Sequence, residues 1–145
     1  GFALFYFSLA LHTGKPASNM EKIWTPYSQA QFDERLAQHK GVILDFFAEW
    51  CIGCHELDQD VFSKPEISSK LAQVNAIRVD ATNINTPDIQ ALLDKYNIIG
   101  LPTVIFLDSD GKEIVTARME GAGTLKEFKS SLAMFAQITR TQFKE

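Results

Sequence analysis

Cys51 and Cys54 are the only cysteines in the chain, and they stand two residues apart in Glu49-Trp50-Cys51-Ile52-Gly53-Cys54-His55. Three chemistries use that spacing. A redox dithiol needs one sulfur that ionises easily and a second within its reach. A zinc site needs two further ligands in tetrahedral geometry. A c-type haem would use both sulfurs together with His55, because Cys-x-x-Cys-His is its attachment pattern.

Zinc finds little support. The histidines are His12, His39 and His55, and none belongs to a second paired motif. Haem could draw on Met20, Met119 or Met134 as a second axial ligand. Its obstacle is context. The run Val42 to Ala48, directly before the motif, reads as a buried strand, and the rest of the chain supplies a complete α/β core. A covalent haem would have to displace that core. The dithiol reading is preferred: no metal and no cofactor, with the cysteine pair itself carrying the electrons.

The stretch from Cys51 to Phe62 reads as a helix with Cys51 in its first turn. Unpaired backbone N–H groups and the helix dipole favour a thiolate there. Cys51 is then the nucleophile that attacks a substrate disulfide. Cys54, one turn in and more sheltered, resolves the mixed disulfide.

Other elements must hold this turn in place. Ser28 with Gln31 fits a capping box, opening a helix to about Lys40 that Gly41 stops. Val42 to Ala48 has no clean alternation, as expected of a strand covered on both faces, and Asp45 is its one polar residue. Lys64-Pro65 ends the cysteine helix and restarts a short one. Asn75 to Asp80 is a second strand. Thr86-Pro87-Asp88 opens a helix carrying Ile89, Leu92, Leu93 and Tyr96 at helical spacing. Thr103 to Asp108 is a third strand, and Asp110-Gly111 turns it into a hairpin with Lys112 to Met119. Thr124 with Glu127 caps a last helix presenting Leu125, Phe128, Leu132 and Phe135 on one side. Phe46, Phe47, Phe62 and Phe106 read as core. The tail after Gln137 is polar and is expected to fray. Early strands alternating with helices predict parallel pairing, with helices on both faces and an antiparallel edge from the hairpin.

At 145 residues the chain is one domain with a short appendage. Hydrophobic residues make up 46% and charged residues 22%, enough for a core without staples. The net charge of -4, without a basic run, gives no support to a nucleic-acid partner. Residues 1–11 carry no charge and place four aromatics between Phe2 and Phe7. A span needs roughly 20 apolar residues, so this stretch cannot cross a membrane alone. It reads as the trailing end of a membrane helix or as a buried element, and the first is preferred. The polar His12 to Met20 that follows reads as a linker. The expected organisation is a membrane-segment end and linker over 1–22, a folded domain over 23–137 and a polar tail over 138–145.

Val42 to Cys54 resembles the active-site strand and turn of the thioredoxin superfamily, and Gly100-Leu101-Pro102-Thr103 resembles its cis-proline loop. Within that superfamily the chain is similar to the C-terminal periplasmic domains of DsbD-type thiol:disulfide interchange proteins. The likeness rests on the Ile52-Gly53 pair, on His55 to Ile67 with its acidic helix and Phe-Ser-x-Pro segment, and on the apolar start. It implies a thioredoxin fold, a mixed sheet with helices on both faces. It also implies a set of roles. Trp50 shields the motif. Asp45 is a buried acid with a raised pKa that accepts the Cys54 proton. Asp58 is a second acid near the thiols. Pro102 is cis and sets the Leu101 backbone beside the sulfurs, where with Trp50, Ile52 and Gly53 it meets substrate. His55 has no catalytic role.

The function so implied is disulfide reduction at the periplasmic face of the bacterial inner membrane. A cysteine pair in a membrane domain would donate electrons. Periplasmic thioredoxin-like domains or proteins, including those serving cytochrome maturation, would accept them, and the domain itself would be monomeric. A stand-alone membrane-anchored thioredoxin-like protein and a non-catalytic thioredoxin-fold binding module are the alternatives.

Overall fold

A computed structural model of the chain describes residues 19–145. The apolar start and nearly all of the expected linker lie outside the described residues. The linker's last residues are helical: α1 (Asn19–Ile23) sends Met20 and Ile23 into the core.

The remaining elements are β1 (Thr25–Pro26), α2 (Gln29–Leu36), β2 (Val42–Phe47), α3 (Ile52–Leu57), α4 (Pro65–Leu71), β3 (Ala76–Asp80), α5 (Pro87–Lys95), β4 (Thr103–Leu107), β5 (Met119–Glu120) and α6 (Leu125–Thr139). The sheet order is β1-β3-β2-β4-β5. β1 and β2 both run parallel to β3, while β4 is antiparallel to β2 and to β5.

β2 is the central strand and is buried along its whole length. Its alternation builds two cores. Val42, Leu44 and Phe46 pack under α2 and α5 with Phe32, Ile77 and Leu92. Ile43 packs on the opposite face with Leu57, Phe62, Leu71, Phe128, Leu132 and Phe135 from the α3, α4 and α6 side. Asp45 belongs to that second face, under the helix that carries the cysteines. Edge contacts of Phe62 with Trp24 and Phe128, at centroid distances of 5.1 and 5.2 Å, tie this core together.

Caps and turns follow local chemistry. The Ser28 hydroxyl accepts from Gln31 N–H, and the Thr124 hydroxyl accepts from Glu127 N–H. α2 stops at Leu36, short of Lys40, because His39 already has a left-handed φ of 55°. Gly41 follows at φ 83°, where a Cβ would lie 2.7 Å from Phe135 and from Thr139. Only glycine fits there.

Four expectations are corrected. β4 is not parallel to its neighbour β2. The chain turns between Tyr96 and Pro102, with Asn97 at φ 52°, and enters β4 at Thr103 opposite Phe46. That puts the start of β4 at the cysteine end of the sheet. The hairpin's second arm is interrupted: it bridges β4 at Leu107 to Glu113 around the Gly111 turn and pairs with β4 again only at Met119–Glu120. Ile114 and Ala117 are both buried, an i, i+3 spacing that suits the 3₁₀ turn Val115–Ala117 and not a strand. The helix after the cysteines widens into a π turn over Asp58–Phe62, which buries the adjacent Val61 and Phe62 together. Finally, the C-terminal tail is tied down. Phe143 packs on the α4–α6 core, and Gln73 and Lys144 exchange two hydrogen bonds of 2.7 and 2.9 Å.

Candidate active site

β2 ends at Phe47, and the chain turns through Ala48-Glu49-Trp50 into α3. Cys51 is the N-cap of α3, with extended backbone (φ −92°, ψ 106°), and its sulfur accepts from Cys54 N–H at 3.1 Å. Cys51 and Cys54 are joined as a disulfide, with Cα atoms 5.3 Å apart. Cys51 is 6% exposed and Cys54 2%, so the N-terminal sulfur is the more accessible, although neither stands free of the surface. Phe47, Ala48 and Leu101 pack around them.

The loop before β4 closes the site from the other side. Leu101–Pro102 is a cis peptide. A Cβ built on Gly53 would lie 3.0 Å from Pro102 Cδ, so the loop and the motif touch where residue 53 has no side chain. Trp50 is 59% exposed and its indole N–H donates to the Thr82 carbonyl at 2.9 Å. Ile52 is exposed as well. Two apolar side chains thus rim a buried disulfide.

Beneath the motif lies a charge cluster. Asp45 is 2% exposed, and its Oδ2 accepts from Arg78 Nε at 2.8 Å. The other end of the guanidinium reaches Asp58, with Nη1 3.0 Å from Oδ2 and Nη2 2.5 Å from Oδ1. Burial pushes the Asp45 carboxyl up to about 6; the Arg78 charge opposes that rise and the Asp58 carboxylate adds to it. Arg78 is itself pushed up, because its two carboxylate partners outweigh its burial. The guanidinium lies 4.2 Å from the Phe47 ring centroid and 5.5 Å from that of Trp24.

All the residues expected from the sequence meet at this end of the sheet. Asp45 is not an uncompensated buried acid, however, since Arg78 pairs with it. Arg78 is the residue that sequence reasoning passed over. A signal for it exists. Asp45 is the only charged residue of β2, Arg78 is flanked by Ala76, Ile77 and Val79 in β3, and the two strands pair them in register. That register is a long-range fact.

His55 stands directly after Cys54, beside the motif. Its Nε2 lies 2.7 Å from the Glu49 carbonyl and its ring packs edge-on against Phe47 at 5.4 Å. Among the described residues, no three His, Cys, Asp or Glu side chains gather as a metal ligand set.

Known proteins share this arrangement. A family model described as a thioredoxin-like domain matches residues 28–136. The thiol:disulfide interchange protein DsbD of Photorhabdus laumondii is 40% identical over 94 residues, 65% of this chain and 16% of that protein. The chain therefore spans about a sixth of the length of that relative. The crystal structure of the oxidised DsbD C-terminal domain of Neisseria meningitidis superposes with a TM-score of 0.58 at 32% identity, covering 76% of this chain and 91% of that one. A thioredoxin from Thermus thermophilus, at 24% identity, superposes with a TM-score of 0.61 over 77% of this chain and 85% of that one, and speaks for the fold. The chain belongs to the thioredoxin-like domain family, and within it is similar to the C-terminal domain of DsbD.

Proposed function

We propose that the domain is a thiol:disulfide oxidoreductase working as a protein-disulfide reductase. The observation that carries this is a buried Cys51–Cys54 disulfide at a helix start, rimmed by exposed Trp50 and Ile52 and lying above the buried Asp45.

The reaction balances within the cysteine pair. In the reduced domain the Cys51 thiolate attacks one sulfur of a substrate disulfide. A Cys51–substrate bond forms, and the other substrate sulfur leaves as a thiolate and takes a proton. Cys54 then gives its proton to Asp45 and attacks the Cys51 sulfur. The Cys51–Cys54 bond closes and the second substrate thiol departs. Two electrons have moved to the substrate, and no other cofactor is needed. Leu101 and Pro102 present backbone beside the sulfurs for an extended substrate segment, while Trp50, Ile52 and Gly53 shape the contact.

Similarity to DsbD supports a place in a relay at the periplasmic face of the inner membrane. The proposed donor is a cysteine pair in a membrane domain, and the proposed acceptors are periplasmic thioredoxin-like domains. No helix of the described residues is long and apolar enough to cross a membrane. The donor pair would lie elsewhere, because Cys51 and Cys54 are the only cysteines in the chain. Cys51→Ser and Cys54→Ser variants test the reading. Cys51→Ser should abolish reduction of a disulfide substrate with the fold intact. Cys54→Ser should accumulate the mixed disulfide. Unchanged partner function with Cys51→Ser would make the domain a binding module.

A further inference from the structure

We propose that Arg78 is a positioning residue of this reaction: from β3 its guanidinium bridges Asp45 and Asp58 and holds Asp45 in the ionised form that accepts the Cys54 proton at neutral pH. The inference rests on the reductase reading above and adds to it the group that makes the buried base usable.

The argument begins with geometry. Asp45 on β2 and Arg78 on β3 are register partners, so their side chains leave the sheet on the same face. Asp58 comes down from the start of the π turn, one helical turn beyond Cys54. Three of the guanidinium's donors are used, one on Asp45 and two on Asp58. The Phe47 and Trp24 rings hold the guanidinium plane. Phe47 also belongs to the buried cluster that contains both cysteines. The cluster is thus linked to the disulfide's surroundings through Phe47 and fixed by packing on several sides.

Chemistry then narrows the role. Arginine keeps its proton throughout the accessible pH range, so Arg78 neither gives nor takes one. What it supplies is a fixed positive charge. Without that charge, two carboxylates share a buried site, and one of them must stay protonated near neutral pH. Asp45, the more buried, is the one that would. A protonated Asp45 cannot receive the Cys54 proton, and closure of the disulfide would stall. Even with Arg78 in place, burial leaves Asp45 at about 6, a narrow margin below neutrality. Asp58 and Arg78 also line a cleft of about 690 Å³ together with Glu21, Glu49, His55 and Asp80, so the titratable and charged groups around the pair are these and the cysteines.

The test follows the two halves of the reaction separately. The reduced domain is mixed with the aromatic disulfide dithionitrobenzoate, which releases one coloured thiolate when Cys51 attacks and a second when Cys54 closes the ring. The rate of the second release is recorded against pH. Arg78→Met should raise the midpoint of that profile by about 1–3 pH units, the range by which a neighbouring opposite charge moves a carboxyl. Arg78→Lys should bring it back towards wild type, because the charge returns. Asp58→Asn should move it the other way, downward, by removing the carboxylate that competes for Arg78. This variant keeps the test decisive if Arg78→Met fails to fold. An unshifted midpoint in Arg78→Met, or in Asp58→Asn when Arg78→Met is unfolded, would overturn the proposal. If wild type itself shows no second release, the reductase reading falls first, and the two failures are distinguishable.

Discussion

Replacing Asp45 by Asn should change how the oxidised domain's stability depends on pH, and in a direction opposite to that of an ordinary ion-paired carboxylate. Asp45 is 2% exposed, and burial lifts its carboxyl from 3.8 to about 6 in spite of the Arg78 pair. Between those two values the folded domain holds a proton that the unfolded chain has lost. Stability contributed by this group is therefore complete below the unfolded value and is lost as pH rises through the folded one. A rise of roughly two pH units is worth about 3 kcal/mol, at about 1.4 kcal/mol per unit. The Asn side chain does not titrate. The wild-type domain should thus lose about 2–3 kcal/mol relative to Asp45→Asn between about pH 4 and pH 8, most of it below pH 6. Urea unfolding of the two proteins in parallel, in a series of buffers, gives that difference directly, and other carboxylates largely cancel in it. A flat difference would mean that Asp45 is not shifted. A wild type that gains on Asp45→Asn as pH rises would mean that Arg78 outweighs burial. Either result would refute the reasoning.

Two further substitutions test the scaffold. Gly41→Ala forces a side chain into a left-handed backbone position and against Phe135 and Thr139; a loss of about 2 kcal/mol or more in denaturant unfolding is expected. Phe143→Ala removes the ring that pins the tail to the core. It should cost about 1 kcal/mol, consistent with partial burial of an aromatic side chain, and hydrogen exchange at Lys144 N–H, now bonded to Gln73, should speed up.

What the sequence made legible was local. Cys51 at a helix start, the apolar run of β2, the proline-led starts of α4 and α5 and the two hydroxyl caps are all signals carried within a few residues. The Leu101–Pro102 loop was legible by resemblance. What stayed hidden depended on distant partners. β4 is as apolar as a parallel strand would be, and nothing in Thr103 to Leu107 encodes its direction; the turn from Tyr96 to Pro102 decides it. The polar letters of the C-terminal tail conceal one well-placed ring, Phe143, and a backbone that pairs with Gln73 just past the end of α4. Arg78 reads as an ordinary charge until the β2–β3 register sets it against Asp45. The candidate site was thus visible as its sulfurs and acids, while the cation that organises those acids required the fold.

The central claim is that Cys51 and Cys54 form a reducing redox pair, and their equilibrium reduction potential tests it most directly. The domain would be equilibrated in thiol redox buffers and followed by tryptophan fluorescence, Trp50 being adjacent to Cys51 in the chain. The account predicts one reversible two-electron transition between about −270 and −200 mV, the range of reducing thioredoxin-like proteins. A value near −120 mV, that of a strong oxidant, would contradict it.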